Sequence, residues 1–253
     1  MRRLNYAVDE LRRTPWSVAS EWIESQAVGI PQSTAGATTP QTDGVVGFWA
    51  TVATRRLELW QKVLEHLGLS VLAMAIAILI GVPTGILIHR RRATLPFVLG
   101  ATEVVQTIPS LAMLAFLFAV YGILGMTPAV TALVLYALLP IVVNTFTGLK
   151  ELSPEIIEAA DGVGMSGAQR LWMVELPLAL PIIVAGIRTS TVWTVGIATL
   201  STYIGAGGLG DFISRGLSRN DPWLTLLGAV PAAIMAVTLS LAIRLVERHL
   251  RQA

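Results

Sequence analysis

The sequence predicts an all-α polytopic membrane protein, and three observations predict it. Of the 253 residues, 54% are hydrophobic and 13% charged, whereas a soluble globular domain carries roughly 25% charged residues. Uncharged runs long enough to cross a bilayer recur, the clearest at 69–88. Between these runs charge returns in short clusters, such as His89, Arg90, Arg91 and Arg92 or the stretch 150–175, as expected of loops joining spans.

Residues 1–48 are a polar extension. Leu4, Val8, Leu11, Trp16, Val18 and Trp22 lie among charges over 1–26, which suits either a membrane-surface helix or a disordered segment. Residues 29–47, rich in Pro, Gly, Ser and Thr, read as a linker. No apolar core follows Arg2 and Arg3, so no secretory leader is expected. The segment 49–68 places Trp49, Val52, Leu59, Trp60, Val63 and Leu64 among Arg55, Arg56, Glu58, Lys62 and Glu65, the signature of an interfacial amphipathic helix.

Five spans follow. Residues 69–88 reach about 30 Å at 1.5 Å per residue, the thickness of the hydrocarbon core. The second, 95–121, is long enough to tilt and contains Glu103, Gln106 and a kink at Pro109. The third, 127–146, is expected to start on Thr127 as cap with Pro128 in its first turn, and it passes through Pro140. The fourth is 177–203, the fifth 223–245, and 247–253 is a short tail.

Basic residues of short loops orient such a chain. With the loop after the first span inside, Arg90, Arg91, Arg92, Lys150, Arg170, Arg244, Arg248 and Arg251 are cytoplasmic, against Arg215 and Arg219 outside. The amino-terminus is then outside and the carboxyl-terminus cytoplasmic. Residues 1–68 oppose this with seven basic residues, matched by seven acidic ones.

The loop at 148–176 carries the most information. Ser153 and Pro154 open a short helix to 161, with Glu155 where the helix dipole favours an anion. Gly162 and Gly164 end it. Ser166 and Gln169 have the spacing of a capping box for a second helix, 167–175. The result is a compact knob between two spans.

The elements Glu158, Ala159 and Ala160, then Gly164, Val174, Leu176 and Pro177, resemble the cytoplasmic EAA loop of the membrane subunits of binding-protein-dependent ABC importers, with Val174 in place of the usual isoleucine. Within that family, residues 106–112 (QTIPSLA), 136–142 (YALLPIV) with Asn144 and Thr145, and 204–210 (IGAGGLG) resemble the permeases of osmoprotectant systems for glycine betaine, carnitine and choline. The similarity covers roughly 59–247 and implies a five-helix MetI-like ABC importer transmembrane core over 69–246. It also implies a cytosolic ABC ATPase dimer that binds the ATP, a second permease copy or a related permease, and an extracytoplasmic substrate-binding protein, all assembled in the inner membrane. The coupling residues would be Glu158, Ala159, Ala160, Gly164, Val174, Leu176 and Pro177.

Inside the membrane, the path candidates are Glu103, Gln106, Thr107, Ser110, Tyr136, Asn144, Arg188, Thr191 and Trp193. A carboxylate at bilayer depth is costly and usually faces a bundle interior or cavity. Arg188, at similar depth, is its candidate partner, the alternatives being a snorkelling Arg188 and a protonated Glu103. The uncharged polar set, with Thr145, Ser190 and Thr194, suits a path for a zwitterion or cation and equally suits hydrogen bonding between spans. Tyr121, Tyr136, Trp193 and Tyr203 offer aromatic faces to a quaternary ammonium group, while Tyr121 and Tyr203 also fit interface anchors. Gly205, Gly207, Gly208, Leu209 and Gly210 suggest a re-entrant turn before a short helix at 211–217, acting as an outer gate.

Several classes are excluded or weakened. Cysteine is absent, so there is no disulfide, thiolate metal ligand or thiol nucleophile. His66, His89 and His249 are far apart in sequence, and no metal site or catalytic group is expected. Gly81, Val82, Pro83, Thr84 and Gly85 do not make a Walker sequence, nor do residues 205–210, so no nucleotide is expected on this chain. Its basic residues are too dispersed for a nucleic-acid partner. A scaffold protein, an intramembrane enzyme, and an importer of another small solute such as an amino acid or a phosphonate are the competing classes.

Overall fold

The computed structural model describes residues 44–252. The expected surface helix at 1–26 and most of the linker lie outside the described residues. The end of that linker is helical instead: α1 runs over Gly44–Thr54.

Helix α2, Arg56–Arg90, is 35 residues long and therefore roughly 52 Å, well beyond the ~30 Å hydrocarbon core. The interfacial helix expected at 49–68 and the span at 69–88 are thus not separate elements from Arg56 onward. Gly68 is accommodated within the helix without a turn, and the polar face of residues 56–66 finds partners described below. Pro83 is accommodated within it, with the Thr84 hydroxyl donating to the Ile80 carbonyl at 2.7 Å.

A 3-10 turn, Arg92–Thr94, leads to α3, Leu95–Thr107, and α4, Ser110–Tyr121. These two helices are bent by 103° at their junction, so the single tilted span expected over 95–121 is a broken one. The cause is Pro109, which keeps the preceding residue out of the helical region; Ile108 is extended, φ −74°, ψ 124°.

Helix α5, Met126–Lys150, passes through Pro140. It begins on Gly125, whose φ of +107° only glycine adopts readily, so Thr127 lies inside the first turn and does not cap it. Helix α6, Pro154–Gly162, and α7, Gly167–Arg170, form the knob. A π turn at Leu171–Glu175 joins α7 to α8, Leu176–Ala198. The second knob helix is therefore the first part of a 38-residue helical run, Gly167–Ile204. Pro177 has no N–H to give the preceding turn, and the ladder widens just before it. A 3-10 stretch, Thr199–Ile204, the short α9, Gly210–Ser218, and the long α10, Pro222–Gln252, complete the chain.

Among the described residues, helix α5 is the most buried of the long helices and α10 the least. Leu69, Ala73, Leu114, Leu133, Ala137 and Ile141 form the main core of α2, α4 and α5. Val195, Leu209, Phe212, Leu224 and Leu227 pack α8, α9 and α10 together. Leu149, Leu171, Ala179 and Ile183 sit above the knob.

Lipid is as apolar as leucine, so spans associate through close packing of small residues. Gly81 and Gly85 of α2 do this against α5: a Cβ at Gly81 would lie 2.8 Å from Ile141, and one at Gly85 2.5 Å from Thr145. The pair that fails as a nucleotide loop is thus a helix-packing GxxxG. On the other side of α5, Gly186 of α8 meets Asn144 at 2.5 Å and the Pro140 carbonyl at 2.7 Å by the same measure.

Candidate functional site

The knob is built by charge as well as by caps. Ser166 accepts from the Gln169 N–H at 3.3 Å while the Gln169 side chain accepts from the Ser166 N–H at 2.8 Å, so the capping box forms. Ser153 stands at the N-cap of α6 but its hydroxyl donates to Glu155, at 3.2 Å, and makes no cap bond to the backbone. Gly164 has φ +80° with open space around it, so its requirement for glycine is conformational. Arg170 reaches back to both oxygens of Asp161, at 2.5 and 2.6 Å, and its Nε donates to Glu175 at 2.7 Å. Those two carboxylates, Glu175 first, hold the guanidinium even more firmly protonated than usual. Arg90, at the end of α2, donates to the Gly167 carbonyl at 2.6 Å.

On this braced knob Glu158 and Ala159 are exposed, Ala160 is buried, Val174 and Leu176 are half-buried, and Pro177 is exposed. Val163, Trp172 and Met173 are 75%, 70% and 65% exposed, so apolar side chains as well as Glu158 are uncovered on this loop.

The path candidates divide. Proline at 140 leaves the Tyr136 carbonyl without its helical donor, and the Gln106 amide supplies one at 3.1 Å. In return the Tyr136 hydroxyl donates to the Ile108 carbonyl at the break between α3 and α4. Gln106 and Tyr136 thus form a reciprocal clasp joining two proline breaks. Asn144 donates to the Pro140 carbonyl at 2.7 Å, Thr107 to Val104, Thr191 to Ile187, and Ser190 to Ala137 at 2.8 Å. Gln106, Tyr136 and Ser190 therefore link helices, while Asn144, Thr107 and Thr191 bond carbonyls of their own helix.

Ser110 is half-buried at the start of α4, while Glu103 and Trp193 are exposed. The considered Glu103–Arg188 pair does not form. Arg188 faces Glu247 of α10 at 3.7 Å, because α8 packs along α10 at that level, while Glu103 lies on the outward side of α3.

At the other end, Gly205, Gly207 and Gly208 all have positive φ, and Leu209 and Gly210 are buried at the start of α9. The amino-terminal segment of α2 holds this turn. Glu65 accepts from the Gly208 N–H at 3.0 Å, and His66 accepts from the Leu209 N–H at Nδ1 at 3.3 Å. His66 Nε2–H donates to the Val195 carbonyl at 3.0 Å. Lys62 bridges Glu65 at 2.8 Å and Asp211 at 2.5 Å, and Arg215 reaches Glu58 at 2.5 Å. Burial alone would raise the Asp211 pKa, but Lys62 and the Thr202 hydroxyl outweigh it and hold the carboxyl below its usual range. Lys62, whose burial works the other way, is raised by Asp211 and Glu65.

Residues 77–253 match the model of the binding-protein-dependent transport system inner membrane component. The chain belongs to this family. It is similar to the choline transport system permease protein OpuBB of Bacillus subtilis, 41% identical over 196 residues, covering 78% of this chain and 90% of that protein. It is 44% identical over 191 residues to the glycine betaine/carnitine/choline transport system permease protein OpuCB of the same organism, with 76% and 88% covered. The osmoprotectant import permease protein OsmW of Salmonella typhimurium is 44% identical over 179 residues, with 69% and 83% covered. Among solved structures, an inward-facing MetNI methionine ABC transporter superimposes with a TM-score of 0.69 at 22% identity, covering 78% of this chain and 98% of that one.

As an inner-membrane, multi-pass transport subunit, this permease has functional groups that sequence reasoning passed over. Asp161, Arg170 and Glu175 lie in the charged stretch 150–175, where one arginine between two acids in a short loop is a bracing signal. His66 was weighed as a metal ligand and set aside, and the 143-residue separation between it and Leu209 hid its contact. Replacing Gln106 by leucine leaves the Tyr136 carbonyl without a donor, at a cost of about 1–2 kcal/mol. The expected result is a lower melting midpoint in detergent, with Gln106→Asn intermediate; an unchanged midpoint would remove the clasp.

Proposed function

We propose that this permease imports osmoprotectants of the glycine betaine, carnitine and choline class, driven by a cytosolic ABC ATPase dimer that binds and hydrolyses the ATP. A second permease copy, or a related permease, completes the path, and an extracytoplasmic binding protein delivers the solute. The observation that carries this reading is 41–44% identity, over at least 83% of their length, to permeases named for those solutes. The fold comparison carries no substrate argument.

The knob supports the coupling role. Glu158 and the uncovered apolar side chains of Val163, Trp172 and Met173 present a contact surface, and the ion pairs of Arg170 make it stiff enough to transmit a push. Outside, the glycine turn before α9 is the gate. In this orientation the amino-terminus is external and the carboxyl-terminus cytoplasmic.

The test is uptake of radiolabelled choline and glycine betaine into vesicles holding the permease with its ATPase and binding protein. Uptake of either, dependent on ATP and suppressed by unlabelled carnitine, is expected. Uptake of methionine or a phosphonate with none of the three quaternary amines transported would overturn the substrate class. Impermeant maleimide should label a cysteine at Ile123 in intact cells and spare one at Val163; the reverse pattern would invert the topology.

A further inference from the structure

We infer that Glu65 and His66 are positioning residues that latch the outer gate: His66 is a fixed pivot and Glu65 a releasable arm on the Gly208–Leu209 backbone. The inference rests on the reading of the glycine turn as a gate.

Two successive N–H groups of the turn, Gly208 and Leu209, are taken by two successive side chains of α2. Such a backbone cannot make these bonds within itself, because positive φ at Gly207 and Gly208 turns the N–H groups outward from any helix ladder. The two acceptors differ in kind. His66 is fully buried, and both ring nitrogens are engaged: Nε2–H with Val195 on α8, Nδ1 with the turn. Its position is over-determined, and a Cβ at Gly208 would already come within 2.9 Å of Nδ1.

Glu65 is 43% exposed in its side chain, and it shares Lys62 with Asp211 at the start of α9. Swinging Gly208 away while Leu209 stays on His66 costs one charge-assisted bond and reshuffles an ion pair that water can solvate. The pivot keeps the register while the arm lets go. Because α2 continues unbroken from this latch to Arg90, which is bonded to the knob at Gly167, one rod joins the outer latch to the coupling loop.

The chain has no cysteine, so a single reporter is unique. Ser201 suits this role, being fully buried under the turn, with its carbonyl accepting from Ala206 N–H at 3.0 Å. In the assembled transporter without ATP, Ser201→Cys is expected to react slowly with an impermeant maleimide. Adding Glu65→Ala should speed the reaction several-fold with the membrane level of protein unchanged. His66→Phe should both speed labelling and abolish uptake, and His66→Gln, which keeps a donor and an acceptor, should restore slow labelling and much of the uptake.

Should His66→Phe fail to reach the membrane, the Glu65→Ala and Glu65→Gln pair decides alone, with glutamine intermediate. Labelling as slow in Glu65→Ala as in the Ser201→Cys parent overturns the latch. Labelling needs no transported solute, so failure of the latch is distinct from failure of the substrate assignment.

Discussion

Replacing Gly186 by leucine is expected to abolish folded permease. Gly186 brings α8 against α5 so closely that an added Cβ would lie 2.5 Å from the Asn144 Cβ and 2.7 Å from the Pro140 carbonyl oxygen. Neither obstacle is the free end of a flexible chain: one is a backbone atom, and the other is fixed by the Asn144 bond to that same carbonyl. The helices must therefore separate, and the neighbouring Ser190 bond to Ala137 stretches with them. Overpacking ordinarily costs about 1–3 kcal/mol, and here the larger side chain acts on a helix, α5, that also packs against α2, α3 and α4. The expected readouts are loss of the monodisperse peak in detergent and loss of uptake. Gly186→Ala should be milder, and Gly196→Ala, with no atom within 4 Å of its added carbon, should be silent. A Gly186→Leu permease with the parent's melting midpoint would show that α5 and α8 do not approach in this way.

The second large effect is expected at the knob, with folding spared. Gly164 holds φ +80° in open space, so valine there meets no clash but cannot easily keep the conformation. Residues 163–166, which set the angle between α6 and α7, must then re-form. Glu158 is exposed, so alanine there removes a surface charge and little else. Both Gly164→Val and Glu158→Ala should insert normally, lose uptake, and co-purify less ATPase; Arg170→Ala, which frees Asp161 and strands the buried Glu175, should lose uptake and also lower the melting midpoint. Full transport in Glu158→Ala and Gly164→Val together would sink the coupling role.

The two effects separate what can be read locally from what cannot. Gly164 was legible because its meaning is local: a capping box two residues on and a helix ending before it require a turn there. Gly186 was not, because its reason is a carbonyl 46 positions earlier on another helix. The same holds for Gln106 and Tyr136. Their polarity at membrane depth was plain, but whether they faced a path or a neighbouring carbonyl depended on where Pro140 freed one.

By itself the sequence determined the membrane class, the apolar runs, the knob with its Ser166–Gln169 capping box and the family resemblance, because hydrophobic length and helix ends are properties of consecutive residues. Only the tertiary structure decided that α2 is one rod from Arg56 to Arg90, that the second span breaks by 103°, that Arg188 faces Glu247, and that His66 holds the glycine turn before α9. The Arg188 and His66 contacts depend on partner groups far along the chain, and in a bilayer, where unpaired polar groups find no water, such partners choose the geometry; the break has a local cause in Pro109, but its angle is set by how α3 and α4 pack.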